Sequence, residues 1–531
     1  MKNIITYCFL FFPLGIYAQL IPVMGTYNKN LIEPHLYNIE SRYHTAIRPV
    51  YFCDIADILS KDSIPNPIER GLRADWMSEN GKNSFLQAIP VVDLMAGQQI
   101  KGTKNIYNLG GGVLINAGID NTVGISVKIS HNYLRPPEYS IITRDSLNIL
   151  HSAGFLSGVK DYYNSQNSFV FAYKPYEFLL LEAGFGKNFY GDGYRSLLLS
   201  ENSYNYPYLK GEATFLKIKY SYVLAQLKNV GSSHNPLWKD LQTKYAVFHY
   251  FDWRISKRLS IGFFESVIMN QNVNFDVNYL NPIVVFRPVA FYLGSEDNVL
   301  MGLNLKLSIN NNNILYGQVI IDDLVVGLLM NDIKRNLNID FDGHYGWFAN
   351  KWGIQGGYKT FNLLGIKRLG GFAEINITRP YIYSHLRPEQ NYSHFGQGLA
   401  HPLGANFREF ICGANYFINN FSMEIKFMYA QIGMDTANTH YGQNIFQPTM
   451  DGVHAWGYHV ESYNNVILQG NITTQITSHL HFEYIINHAS YLAINAGILY
   501  RNIVPEYGSA FDDVYFYLGL RTSISRIDRM F

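Results

Sequence analysis

The chain has 531 residues and is nearly neutral, with 42 Lys and Arg against 41 Asp and Glu and a formal net charge of +1. The absence of a basic excess argues against a nucleic-acid partner, and three cysteines are too few for a disulfide framework or a cysteine-rich metal site. The composition instead combines 41 Tyr, 34 Phe and 44 Gly with only 16% charged residues, which is too polar a mixture for a bundle of membrane helices.

The N-terminus has the pattern of a secretory signal peptide. Lys2 precedes a hydrophobic run over residues 4–16, and Ala18 supplies a small residue before Gln19. Cleavage at this point would remove residues 1–18 and export the remainder. We therefore predict a mature protein that begins at Gln19.

Residues 19–83 differ in composition from the rest of the chain and contain one clear helix start. Asn66 fits an N-cap, Pro67 fits the first helical position, and Glu69 completes a capping box three residues after the cap. We expect a short, partly helical periplasmic or plug segment here rather than a separate domain.

From residue 84 to residue 531 the chain repeatedly alternates apolar and polar side chains. In the segment 421–429 the apolar strand face consists of Phe421, Met423, Ile425, Phe427 and Tyr429. The opposite face carries Ser422, Glu424 and Lys426. No stretch after the signal peptide approaches the ~20 consecutive apolar residues of a transmembrane helix. Because lipid tolerates no unpaired sheet edge, the pattern predicts an all-β fold: a large antiparallel transmembrane β-barrel of about 16–20 strands, with about 18 as the best estimate.

Aromatic residues support an outer-membrane location. Tyr and Phe concentrate at 245–253, 381–383 and 515–517, which we interpret as strand ends, where such rings suit the membrane interfaces. The chain ends on Phe531, which resembles the terminal aromatic that the outer-membrane assembly machinery recognises. We expect outer-membrane lipid to be the main partner of the protein.

Motifs for catalysis and for metal binding are weak or absent. The sequence has no HExxH, GxSxG or Walker motif. Residues 338–343 imitate the start of a calcium loop, but Ala349 stands where a bidentate Glu belongs, and we interpret the stretch as the approach to a hairpin turn. His479 and His481 share a strand face and fit a polar lumen pair better than metal ligands. We expect no enzymatic activity, metal or cofactor.

The densest unusual stretch is the segment 184–207, which we call the glycine-rich block. Its closely spaced glycines allow a tight path. Hydrogen-bonding and aromatic groups surround them, namely Lys187, Asn188, Tyr190, Asp192, Tyr194, Arg195 and Ser200. Such groups suit a sugar, whose hydroxyls take planar polar partners and whose CH faces stack on rings. A loop packed in the lumen with its charges paired is the alternative, so the block either binds a ligand or locks a plug.

A second polar cluster has the same two interpretations. It contains Arg287, Glu296 and Asp297 and leads into a strand that begins near Leu300.

The glycine-rich block resembles the gliding-motility protein RemB of Bacteroidetes, a family related to the Wzi-type outer-membrane proteins of capsule assembly. The similar positions are 186–189, 191–200, 205–207, 287–289, 294–295, 297–298, 315–318, 321–323, 379–380 and 401–406. The chain departs from the family at Asp322 and Asp323, where a Glu is usual, and at 289–291, which replaces a more polar stretch.

The resemblance implies a non-enzymatic barrel at the cell surface that takes part in gliding motility or in attachment or assembly of surface polysaccharide. Surface polysaccharide and motility or secretion proteins are the partners that it implies, and it offers no catalytic residues to carry over. A porin-like channel is an alternative and would need an open lumen. An accessory role in a secretion apparatus and an outer-membrane hydrolase are further alternatives, and the hydrolase would need a converging Ser, His and acid triad. Glycine-rich inward loops favour a plugged binding barrel over an open pore.

Overall fold

The computed structural model describes residues 20, 22, 32–54, 84–101, 104–120, 122–144, 147–158, 160–230, 241–269, 281, 297–436, 439–449, 460–488, 490–524 and 530. Several sequence-based predictions lie outside these residues: the start at Gln19, the helix start at Asn66, and the two cluster residues Arg287 and Glu296.

Within the described part, eighteen strands form one closed antiparallel barrel. They are β1 (Ser84–Gln99), β2 (Asn105–Ile119), β3 (Val123–Arg135), β4 (Ser168–Tyr176), β5 (Leu179–Gly186), β6 (Tyr206–Phe215), β7 (Ile218–Asn229), β8 (Gln242–Arg254), β9 (Leu259–Ile268), β10 (Asn298–Ser308), β11 (Asn313–Asp323), β12 (Lys351–Thr360), β13 (Leu369–Thr378), β14 (Phe407–Ile418), β15 (Phe421–Met434), β16 (Asn471–Asn487), β17 (Leu492–Pro505) and β18 (Phe511–Thr522). Each strand pairs with its sequence neighbours, and pairing of residues 93–99 with 515–521 closes β1 onto β18. The predicted barrel and its strand number are confirmed.

The two faces of the wall follow the alternation in the sequence. On β15, Ile425 and Phe427 are 48% and 37% exposed on the outside, whereas Lys426 between them is 2% exposed and points inward. On β10, Leu303 and Leu305 are likewise outside. An apolar outer face around a closed, polar-lined barrel is the architecture of a membrane-spanning β-barrel.

The two ends of the barrel differ in the length of their connections. The turns at one end are short, such as 120–122, 177–178 and 419–420, and β1 starts and β18 finishes at this end. Long connections lie at the other end, one of which holds the helix α1 (Val326–Asn336). In outer-membrane barrels short turns face the periplasm and long loops face the outside. Among the described residues, no helix is long and apolar enough to cross a membrane.

Three segments of the chain occupy the barrel lumen: the N-terminal plug segment (32–54), the glycine-rich loop (187–205) and the second inward loop (379–406). They enter one buried cluster with the inner wall, whose plug members include Ile47, Tyr190, Leu197, Leu198, Leu199, Tyr383, Tyr392 and Leu399. The described lumen is therefore packed with protein rather than open along its length.

Two expectations from the sequence are wrong. Tyr381 and Tyr383 belong to the second inward loop and are 1% exposed, and Tyr515 and Tyr517 point into the lumen at 3% exposure, so none of them forms a membrane girdle. A buried phenol needs a hydrogen-bond partner, and the lumen supplies one: the Tyr383 hydroxyl donates to the Leu197 carbonyl oxygen at 2.8 Å.

The calcium-like stretch also differs from expectation, whereas Phe531 lies outside the described residues and the role of the terminal aromatic stays a prediction. The last strand ends at Thr522, and Met530 is buried in the lumen, where the Arg501 guanidinium donates a hydrogen bond of 2.9 Å to its carbonyl oxygen. Residues 338–343 follow α1 as an irregular connection and do not approach a hairpin turn.

Candidate functional site

The glycine-rich loop runs deep inside the barrel because other segments pair with its backbone. Phe189 and Tyr190 pair antiparallel with Arg48 and Ile47 of the N-terminal plug segment. The next residue, Gly191, has a φ of 136°, and a Cβ atom there would stand 2.1 Å from the Gln318 Nε2 atom. Only glycine fits this position, which explains one of the glycines that make the block unusual.

Asp192 joins the glycine-rich loop to the wall and to the N-terminal plug segment. It is 1% exposed, and its carboxylate accepts hydrogen bonds from the Thr45 hydroxyl at 2.5 Å and from the Asn304 amide at 2.9 Å. Burial would raise the pKa of this carboxyl, but the nearby Lys306 ammonium and these two hydrogen bonds outweigh burial and lower the pKa. Asp192 is therefore a charged acceptor that fixes the loop.

A row of inward side chains on successive strands holds the loop backbone. Glu374 on β13 accepts hydrogen bonds from the backbone N–H groups of Tyr194 (2.8 Å) and Arg195 (3.2 Å). Gln355 on β12 donates to the Arg195 carbonyl oxygen, and Gln318 on β11 accepts from the Leu197 N–H. Sequence reasoning did not assign these wall residues to the site. The signal that could have found them is their position on the inward face of three neighbouring strands.

The Arg195 side chain lies between the β14 wall and the Tyr194 ring. Its Nε atom is 3.7 Å from the Glu409 carboxylate, and its guanidinium carbon is 4.9 Å from the centroid of the Tyr194 ring. The other Glu409 oxygen is 2.8 Å from the His401 Nε2 atom. Arg195 thus belongs to a buried charged cluster that also reaches the second inward loop.

The far side of the loop is fixed to the second inward loop. The Tyr392 hydroxyl donates to the Leu198 carbonyl oxygen at 2.7 Å, and the Ser200 hydroxyl donates to the Ala400 carbonyl oxygen. Tyr190 is fully buried, stacks on Tyr250 with ring centroids 4.8 Å apart, and its hydroxyl is hydrogen-bonded to Ser221. These contacts make the loop an ordered part of the interior.

One cavity of about 440 Å³ lies between the glycine-rich loop, the inner faces of β1–β3 and the N-terminal plug segment. Four of the seven residues singled out in the glycine-rich block line it, namely Lys187, Tyr194, Arg195 and Ser200. Asn188, Tyr190 and Asp192 do not line it; they are 1% exposed or less and pack into the plug. The seven residues singled out in the block therefore divide into a locking group and a cavity-lining group.

The remaining lining is rich in phenols and amides. The tyrosines are Tyr107, Tyr139, Tyr194, Tyr204, Tyr208 and Tyr515. The amides are Asn108, Asn132, Asn167, Asn202, Asn205 and Gln166. The cations are Arg48, Lys128, Lys187 and Arg195, against the carboxylates of Asp93 and Glu201. The described lining thus carries more positive than negative side chains.

Lys187 lines the cavity. Its ammonium donates to the Ser152 hydroxyl at 2.6 Å and to the carbonyl oxygens of Ser152 (2.8 Å) and Glu201 (3.1 Å). Burial lowers the pKa of this amine to about 8. The charge of Lys187 is therefore sensitive to pH near neutrality.

The other candidate positions lie apart from this cavity. Asp297 accepts a hydrogen bond of 3.3 Å from the Gln390 amide of the second inward loop. His479 and His481 both contact the Tyr517 hydroxyl, at 2.9 and 2.8 Å. In the part of the chain that the structure describes, no group of three His, Cys, Asp or Glu side chains could hold a metal ion.

The fold and the filled lumen define an 18-stranded barrel of the outer-membrane class with an internal plug. No family model matches the chain, and no curated protein matches it. Among solved structures, the chain is similar to Wzi, described as an outer-membrane protein involved in group 1 capsule assembly in Escherichia coli and as a carbohydrate-binding β-barrel. The TM-score is 0.58 with 13% identity, over 96% of this chain and 100% of that chain.

Two further similar structures come from other bacteria. OprD of Pseudomonas aeruginosa gives a TM-score of 0.41 with 8% identity, over 82% of this chain and 94% of that chain. OccAB1 of Acinetobacter baumannii gives 0.41 with 9% identity, over 82% and 96%. The likeness to Wzi establishes a shared fold.

Proposed function

We propose that this chain is a plugged outer-membrane surface barrel that binds a saccharide in the lumen cavity and holds polysaccharide at the cell surface. The observation that carries the proposal is the cavity itself, about 440 Å³ in volume and lined by six tyrosines and six side-chain amides. The volume lies within the range of small-molecule sites.

The chemistry of the lining supports a sugar over an apolar ligand. Tyrosine rings cover the CH faces of a pyranose, while their hydroxyls and the amides donate and accept hydrogen bonds with sugar hydroxyls. The Lys128 ammonium, on the inner face of β3, lies near the Asp93 carboxylate and the Arg521 guanidinium. Together with Arg48 it can meet the carboxylate of an acidic sugar. The carbohydrate binding described for Wzi supports the same class of ligand.

The cellular setting of this function rests on the resemblance of the glycine-rich block to RemB. We infer export by the predicted signal peptide and a role in gliding motility or in the attachment of capsule or other surface polysaccharide. Motility or secretion proteins would then be partners at the outer surface.

A channel function is the main competitor, and the packed lumen argues against it. The three inward segments bury Leu197, Leu198, Tyr383 and Tyr392 at 0–1% exposure where an open pore would carry water. We therefore expect a conductance in planar bilayers well below that of an open barrel of this strand number.

The test uses three variants on one strand. Lys128→Ala and Asn132→Ala alter the cavity lining, whereas Ile129→Ala alters the outer face of the same strand, where Ile129 is 46% exposed. Binding of purified, folded protein to a glycan array and to soluble surface oligosaccharides is measured. We expect the two cavity variants to lose at least about tenfold in affinity and Ile129→Ala to bind like the parent. A parent protein that binds no glycan, or cavity variants that bind like the parent, would overturn the proposal.

A further inference from the structure

The helix α1 at the long-loop end has an apolar face that no described residue covers. At about 100° per residue, Val326, Met330, Ile333 and the following Leu337 fall on one side of the helix. Their side chains are 65%, 46%, 41% and 63% exposed, and no residue of α1 is buried. The apolar stripe is continuous along the whole helix.

The opposite face of α1 is fixed to the barrel. The Asp332 carboxylate forms an ion pair with Arg379 and accepts a hydrogen bond of 2.6 Å from the Gly346 N–H. The Asn331 amide donates to the His344 carbonyl oxygen at 3.0 Å, and the Arg335 guanidinium lies 4.3 Å from the centroid of the Tyr345 ring.

These anchors set the direction of the apolar stripe. Arg379 is 4% exposed and also donates to the Asn465 carbonyl oxygen, which places it inside the barrel mouth. Asp332 points toward Arg379, and the stripe lies on the opposite side of the helix. The stripe therefore points away from the barrel axis, toward the outside of the rim.

The outside of the rim is the continuation of the lipid-facing wall. α1 begins three residues after Asp323, the last residue of β11. On β11 the outward residues Leu315 and Val319 are 43% and 39% exposed, and Ile354 on β12 is 41% exposed. The stripe thus extends an apolar band that already faces lipid.

We propose that α1 is an interfacial helix that inserts its Val326, Met330, Ile333 and Leu337 stripe into the outer leaflet of the membrane. A short amphipathic helix with an apolar stripe lies in the plane of the interface and buries that stripe at the boundary of headgroups and acyl chains. The stripe carries no acidic residue, and Lys334 borders it, where its ammonium reaches the headgroup phosphates. The helix would steady the rim on one side of the barrel, whether or not the lumen binds saccharide.

The test measures lipid contact directly in the full-length protein. The two cysteines of the mature chain, Cys53 and Cys412, are replaced by serine, and single cysteines labelled with bimane are introduced as Met330→Cys and Ile333→Cys. Leu315→Cys in the β11 wall is the lipid-facing control, and Asp342→Cys, exposed on the connection after α1, is the aqueous control. Each protein is reconstituted in vesicles of phosphatidylcholine brominated either near the headgroup or deep in the acyl chain.

We expect bromines near the headgroup to quench the Met330 and Ile333 labels at least about twofold more than the Asp342 label, and deep bromines to quench the Leu315 label most. Met330 and Ile333 labels that are quenched no more than the Asp342 label would overturn the proposal. A third outcome is that the labels at both stripe positions are shielded from water, are not quenched by lipid and associate with the bimane of another molecule. This outcome would assign the stripe to contact with a second copy of the chain, and it would also overturn the proposal.

Discussion

The barrel wall and the plug are held by opposite interactions, although the same strands build both. On β15, Ile425 faces outward at 48% exposure, and the next residue, Lys426, is 2% exposed inside, 3.0 Å from the Glu424 carboxylate. The outer face of this strand offers lipid apolar groups such as Ile425 and Phe427, whereas the plug is fixed by carboxylates, amides and phenols such as Asp192, Glu374 and Tyr392. The effect of a substitution therefore depends on the face of the strand that carries it.

The largest expected effect tests the wall. Ile425→Arg places a cation in lipid and should cost about 2–4 kcal/mol near the membrane midplane. Glu424→Arg, on the adjacent and inward-phased position, should cost far less. Heat-modifiable gel mobility and the yield of assembled barrel measure both. Equal losses in the two variants would contradict the assigned faces.

The second prediction tests the plug. Asp192→Ala removes the carboxylate that accepts hydrogen bonds from Thr45 and Asn304 and that lies near the Lys306 ammonium. The loss of these interactions should lower the free energy of unfolding by about 1–3 kcal/mol. The wall does not depend on this carboxylate, so the barrel should still assemble.

Ion conductance in planar bilayers should rise as the glycine-rich loop loosens. Asp340→Ala, exposed at the long-loop end, is the control and should conduct like the parent. The prediction is contradicted if the Asp192 variant fails to assemble or if its conductance is unchanged. Either result would mean that the plug cannot be loosened independently of the wall by this substitution.

The third prediction separates the two roles of Arg195. Its backbone remains held by Glu374 and Gln355 in Arg195→Ala, so the loop should stay in place. Its guanidinium lines the cavity, and its loss should weaken saccharide binding about tenfold. Unchanged binding with raised conductance would instead make Arg195 a structural lock.

The smallest expected effect is a dependence on pH. The pKa of Lys187 is lowered to about 8 from 10.5, so its ammonium is lost in the folded protein as the pH rises through about 8. Binding of an acidic saccharide should then fall severalfold between pH 7 and pH 9. In Lys187→Arg, which keeps its charge, binding should be flat over this range.

The stability of the folded state should change in the other direction. Because the unfolded amine keeps its proton up to 10.5, the folded state binds fewer protons between pH 8 and 10.5, and its stability rises with pH in that window. Parallel losses of binding and of stability above pH 8 would assign the pH effect to another group.

The amino-acid sequence by itself determined the wall. Period-two alternation fixes the face of each side chain locally, and antiparallel neighbours joined by short turns need no long-range information to pair. Segments such as 421–429 therefore predicted the barrel, its strand number and its lipid-facing residues. The glycine-rich block was recognisable because Gly191 and its neighbours break this plain pattern.

Only the tertiary structure decided how the interior is filled and which candidate residues line the cavity. Lys187 and Asp192 are both charged residues of the glycine-rich block, and the sequence does not distinguish their roles. In the structure Lys187 lines the cavity, whereas Asp192 accepts hydrogen bonds from Thr45 and Asn304, which lie in distant parts of the chain. The inward Tyr383 misled the sequence interpretation for the same reason: an aromatic ring with a hydroxyl suits a membrane interface and a packed lumen equally well. Hydrogen-bond partners that lie far away in sequence set these positions, and no local pattern encodes them.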